Sequence, residues 1–119
     1  MFEIKVTGEF SSAHNLRGYR GKCEELHGHN WKAEVIVSGK KLDKTGMLMD
    51  FKKLKFRLNK ILDKLDHKHL NRLGYFDKIN PTSENIAKYI YDSLKLQTVN
   101  PESVTVWESD RSSATYYGE

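Results

Sequence analysis

The sequence has a single cysteine, Cys23, which excludes an internal disulfide and fits a reducing compartment. Long apolar runs are also missing. The longest, such as Val35-Ile36-Val37, fall far short of the roughly 20 residues that cross a bilayer, so no membrane association is expected. Met1-Phe2-Glu3-Ile4-Lys5 has no signal-peptide pattern, which leads to the expectation of a soluble, cytoplasmic protein. There are no internal repeats and no low-complexity segment. Basic residues exceed acidic ones, 20 to 16, for a net charge of +4, which favours anionic partners. Much of the surplus, however, lies in Lys52, Lys53, Lys55, Lys60 and Lys64 on one predicted helix, where a solvated face accounts for it. With no basic patch interleaved by aromatics, nucleic acid is not expected as a partner, and a phosphorylated small molecule suits the same charge.

What is present is enough for one modest core. At 119 residues and 38% hydrophobic, the chain is expected to form one domain over residues 1–119. Phe2, Ile4, Val6, Phe10, Ser12 and His14 share one parity, with Glu3, Lys5, Thr7 and Glu9 on the other, which predicts a strand with a possible bulge at Gly8. A polar stretch from Asn15 to Leu26 leads to a second alternating run in which His27, His29, Trp31, Ala33, Val35 and Val37 share a face. Met47-Leu48-Met49 reads as a weak further strand. Asp50 caps a helix with Phe51, Leu54, Leu58, Ile61, Leu62 and Leu65 on its apolar stripe, and Thr82-Ser83 caps another carrying Ile86, Ala87, Ile90 and Leu94. Val104, Val106 and Glu108 mark a last clear strand, with a shorter one over Ala114 to Tyr117. The expectation is an α+β fold with two helices on one face of an antiparallel sheet.

His27-Gly28-His29 sends two imidazoles to the same side of a strand, and His14 can bring a third nitrogen from the strand beside it. Three nitrogens with an open position make a catalytic zinc site. With Cys23 as a fourth ligand the same residues make a closed structural site, and polar histidines at a strand end are the plainer alternative. Cys23, four residues before His27, can equally stand free near the metal as a thiolate base, or pack as a small inert side chain. Asp66-His67 offers a carboxylate that orients an imidazole, an acid/base pair, or else simply ends a helix. Glu108 puts a carboxylate on an otherwise apolar face, where it can accept two parallel N–H bonds from an amidine-like ring edge, or fray into solvent. Thr82 and Ser83 read first as helix caps.

Ser12-Ala13-His14, the stretch from Cys23 to Asn30, Leu65-Asp66-His67, Pro81-Thr82-Ser83-Glu84-Asn85 and Val106-Trp107-Glu108 together resemble the 6-pyruvoyltetrahydropterin synthase family, nearly end to end. The resemblance implies a tunnelling fold: subunits pool a four-stranded antiparallel sheet each into a barrel, with helices outside and active sites between subunits. It implies a homo-oligomer built on trimers, as a hexamer. His14, His27 and His29 match zinc ligands, Cys23 the general base, Asp66 and His67 its acid/base partners, and Glu108 the pterin anchor. Thr82 and Ser83 match further pterin contacts, though Ser83 stands where the animal enzymes have threonine. The implied substrate is 7,8-dihydroneopterin triphosphate. Three residues separate Cys23 from His27, as in the bacterial and archaeal 6-carboxytetrahydropterin synthases of queuosine biosynthesis, whereas the animal pyruvoyl enzymes have five.

Overall fold

The computed structural model describes residues 1–119. Four strands form one antiparallel sheet in chain order: β1 (Phe2–His14), β2 (His27–Gly39), β3 (Ser103–Ser109) and β4 (Ser112–Tyr116). Two helices, α1 (Phe51–Leu65) and α2 (Ser83–Leu96), lie between β2 and β3 in sequence. Short 3-10 turns at Lys22–Glu24, Leu70–Arg72 and Gly74–Phe76 fill the connections.

Alternation decides which side of the sheet is covered. Val6 and Phe10 on β1, Trp31, Ala33 and Val35 on β2, and Val104 and Val106 on β3 are all buried on one face. Lys5, Glu9, Lys32 and Glu34 stand on the other. Helix α1 packs on β1 through Leu54, Leu58, Ile61, Leu62 and Leu65, while α2 packs on β3 and β4 and buries Ile86, Ala87, Ile90 and Leu94. Each such leucine or isoleucine contributes about 1.5–3 kcal/mol on burial. Both helix starts are capped as the sequence predicts: Asp50 accepts the Lys52 N–H, and Thr82 the Asn85 N–H. The lysines of α1 named above are exposed, a solvated face. No helix is long and apolar enough to cross a membrane.

Three local expectations are corrected. Gly8 is not a bulge, since β1 pairs with β2 without interruption and Gly8 sits opposite Ala33. Its role is to let α1 come close, because a Cβ there would stand 2.7 Å from Leu62 Cδ1. Met47-Leu48-Met49 is not a strand. The Asp43 carboxylate accepts the Thr45 and Met47 N–H groups, the Met47 carbonyl accepts the Asp43 N–H, and Gly46 turns at φ 85°, so a tight loop takes up the backbone bonds a strand would need. Phe51 is not on the buried stripe. As the first residue of α1 it lies half in solvent, beside Phe2, Ile4 and Met47 at a shallow apolar cavity.

The outer strands keep open edges. On β1 the exception is its last part, where Ser11 O accepts the His67 N–H and Ala13 N–H donates to Lys68 O, with a parallel bridge from Ala13 to His69.

Candidate metal centre and active site

Register places two of the histidines opposite each other, since His14 of β1 pairs with His27 of β2, and His29 follows two residues on along the same face. The three rings meet edge to face with centroids 4.6 to 5.1 Å apart. Glu108, near the end of β3, brings its Oε1 to 3.0 Å from His29 Nε2 and 3.4 Å from His14 Nε2. Donor atoms of His14, His27, His29 and Glu108 all lie within 4.8 Å of one another. The fourth donor gathered here is thus a carboxylate oxygen, and the Cys23 sulfur is not in the group.

Hydrogen bonding selects the tautomers. Nδ1 of His14 faces the Pro81 carbonyl oxygen at 2.8 Å, and Nδ1 of His27 faces the Glu25 carbonyl at the same distance. A carbonyl can only accept, so both Nδ1 atoms carry a proton, and in the neutral form of either ring the lone pair is left on Nε2. Nε2 of His14 and of His29 is buried and makes no hydrogen bond; the nearby Glu108 oxygen is close enough for ion pairing but lacks the hydrogen-bond direction. Burial holds the His14 and His29 imidazoles below their usual value and favours the neutral, ligating form, with the neighbouring rings adding to the effect and Glu108 opposing it. Three converging imidazoles with a carboxylate fit a divalent transition metal of the zinc type. Beneath them Trp31, fully buried, meets the His14 and His29 rings edge-on and donates its indole N–H to Ser12 O.

A cavity of about 510 Å³ opens above this cluster, lined by Lys22, Cys23, Glu25, Leu26, His27, His29, Glu108 and Ser109. Cys23 is held there by a 3-10 turn and by its own carbonyl, which accepts the Leu16 N–H at 2.8 Å. Its thiol is free and half-buried. Among the basic residues near the site, Lys22 reaches the wall, whereas Arg17 is occupied elsewhere.

Asp66, His67, Thr82 and Ser83 do not line this cavity. Asp66 ends α1, accepts the Ser11 N–H on Oδ1 (2.8 Å) and the His67 Nδ1–H on Oδ2 (2.8 Å). The Ser11 amide first, then His67, holds its carboxyl below the ordinary range. His67 is largely exposed and adopts φ 54°, which turns it out from the end of the helix. Thr82 and Ser83 serve as cap and first residue of α2. Nothing in the sequence pointed to the two carbonyls that set the tautomers: Pro81 and Glu25 stand in the motifs above, but nothing in those motifs says where their backbone oxygens point.

The model of the family described as 6-pyruvoyl tetrahydropterin synthase matches residues 3–119. A protein of Archaeoglobus fulgidus named as a putative 6-carboxy-5,6,7,8-tetrahydropterin synthase is 41% identical, over 90% of this chain and 88% of its own. The human 6-pyruvoyl tetrahydrobiopterin synthase is 39% identical over 92% of this chain and 79% of its own. The solved Caenorhabditis elegans 6-pyruvoyl tetrahydropterin synthase is 30% identical, with a TM-score of 0.91 covering 99% of this chain and 96% of that one.

Proposed function

Since the chain belongs to the 6-pyruvoyl tetrahydropterin synthase family of enzymes, we propose that it is a zinc-dependent 6-carboxy-5,6,7,8-tetrahydropterin synthase. In this reading it converts 7,8-dihydroneopterin triphosphate to 6-carboxytetrahydropterin, acetaldehyde and triphosphate. The observation that carries it is the position of Cys23 in the wall of the cavity above the three imidazoles. The three residues from Cys23 to His27 contain Glu25, whose carbonyl orients His27, so thiol and ligand are set by one short turn. That interval favours the carboxy product over the pyruvoyl one.

His14, His27 and His29 would hold the zinc ion, which would supply Lewis acidity toward the hydroxyls of the substrate side chain. Cys23, as thiolate, takes the adjacent carbon-bound proton. Glu108, whose Oε1 stands nearest His29 and His14, receives the N–H edge of the pterin on its carboxylate. Asp66 holds His67 through Nδ1, and this pair relays protons. Because the pair lies outside the cavity of its own chain, the reading assigns it to the site of a neighbouring subunit. Unpaired edges on β1 and β4 support strand-to-strand assembly of trimers into a barrel, and a hexamer from two of them. Thr82 and Ser83 add pterin contacts in that assembly. The cavity volume falls in the range of small-molecule sites.

The test is product identification. Incubation of the zinc-loaded protein with 7,8-dihydroneopterin triphosphate is expected to yield 6-carboxytetrahydropterin by mass spectrometry, together with trapped acetaldehyde. Cys23→Ala is expected to lose this turnover and keep its zinc; loss of zinc from a folded Cys23→Ala protein would make the cysteine a ligand instead. Accumulation of the 6-pyruvoyl product without acetaldehyde would establish the second reading, the one that the human relative's name favours.

A further inference from the structure

The turn ending at Pro81 is fastened to the loop after β1 from both sides. Asn80 Oδ1 accepts the Arg17 N–H at 2.9 Å, and Asn80 Nδ2 donates to the Arg17 carbonyl at 3.0 Å, a two-point pairing of side chain with backbone. The Asn80 carbonyl in turn accepts the Thr82 N–H and the Asn85 Nδ2, each at 2.9 Å. The Arg17 guanidinium donates to three carbonyls of the same segment, those of Phe76 (2.8 Å), Asn71 (3.1 Å) and Ile79 (3.2 Å). These bonds converge on the stretch that precedes Pro81. Pro81 is buried, and its carbonyl is the acceptor for His14 Nδ1, 67 positions away in sequence. A prolyl residue has no N–H to anchor itself, so its flanking residue must set where its carbonyl points.

We infer that Asn80 and Arg17 form a positioning latch for the metal centre: they hold the Pro81 carbonyl against His14, keep that ring in its Nδ1–H tautomer, and so aim the Nε2 lone pair at the cluster with His27, His29 and Glu108. Arg17 is thereby withdrawn from the cations available to an anionic substrate, although its charge and its place near the site suggest that role. The inference rests on the reading of the three histidines as metal ligands. Partners that orient a ligating imidazole through its other nitrogen typically alter metal affinity by about 10- to 100-fold when removed.

Zinc affinity of the full chain, measured by competition with a chromophoric chelator, tests the latch. Asn80→Ala is expected to bind zinc about tenfold more weakly. Arg17→Gln, which removes the three guanidinium bonds to this segment, is expected to lose affinity in the same direction, with folding followed by circular dichroism. The double variant is expected to be no worse than the sum of the two and closer to Asn80→Ala alone, because both residues act through one carbonyl. Imidazole-nitrogen NMR of the zinc-free protein is expected to show His14 as the Nδ1–H tautomer in the wild type and as a mixture in Asn80→Ala. Leu94→Ala, far along α2 from the latch, is expected to lower Tm and move neither readout. Three results would overturn the inference: wild-type zinc affinity and tautomer in both folded latch variants; an equal loss of zinc affinity in Leu94→Ala; or a raised KM for the triphosphorylated pterin in Arg17→Gln with zinc affinity and His14 tautomer intact. If the wild type binds no zinc, the metal reading falls, and the tautomer comparison still decides the latch.

Discussion

One face of the sheet changes character along its length. Toward the start of β1, Val6, Ala33, Val35 and Val104 are covered by the leucines of α1 and the isoleucines of α2, and almost nothing of them reaches solvent. At the far end the same alternation gathers His14, His27, His29 and Glu108, of which His27, His29 and Glu108 line a cavity. Phe10 stacked on Trp31 marks the border. Where α1 stops decides the difference. The helix runs along β1 and ends level with Ser11 and Ser12, where Asp66 accepts the Ser11 N–H and the Ser12 hydroxyl donates to the Leu65 carbonyl. Beyond that point no α1 side chain covers the face, so polar groups there keep access to a ligand. Strand periodicity chooses the side of the sheet, and helix length chooses which part of that side becomes core.

Breaking the open end should cost function rather than fold. Replacing both His27 and His29 by alanine is expected to abolish zinc binding and turnover, with metal content read by elemental analysis and folding by circular dichroism. A folded double variant that keeps one zinc per chain would move the metal elsewhere.

Breaking the covered end should do the reverse. Leu58→Ala, at a fully buried position, is expected to cost about 2–5 kcal/mol of stability, measured by denaturant unfolding of the metal-free protein. The folded fraction should bind zinc with wild-type affinity.

A smaller effect probes how closely α1 lies on β1. Gly8→Ala would place a methyl group 2.7 Å from Leu62 Cδ1 and 3.1 Å from Asn59 Oδ1, an overpacking expected to cost about 1–3 kcal/mol. If it were tolerated without loss in the same unfolding assay, the side-chain ends of Leu62 and Asn59 would be free to move aside.

The smallest effect lies at the border itself. A carboxyl held below its ordinary value in the folded state stabilises the fold above the unfolded value and loses that contribution as pH falls through the folded one. For Asp66 the unfolded reference is 3.8. The Tm difference between wild type and Asp66→Asn is therefore expected at neutral pH and should vanish in acid well below 3.8. A difference that persists in acid would trace the effect to shape rather than charge.

Much of this was legible in sequence, because alternation and helical spacing are local. The paired histidines, the parity of His14, both caps and both apolar stripes could be read from neighbours within a few residues. Gly8 was legible as an exception but not in its cause, since the reason is a leucine side chain on α1. Phe51 looked like core because it fits the helical spacing, and only its place at the first turn leaves it half-exposed. The short stretch Met47-Leu48-Met49 looked like a strand because three apolar residues carry no information about where their backbone bonds go.

By itself, then, the sequence determined which side chains share a face, where helices start, and that three imidazoles, a thiol and a carboxylate could converge at one end of a sheet. Tertiary structure alone decided that Glu108 stands against the imidazoles while Asp66 and His67 lie outside the cavity, that Cys23 lines the wall without joining the donor cluster, and that a proline carbonyl far along the chain sets the His14 tautomer. The reason is physical: periodicity reports the direction in which a side chain leaves the backbone, whereas these contacts depend on strand register, on where a helix stops and on which carbonyls a loop turns inward, none of which any local stretch of sequence encodes.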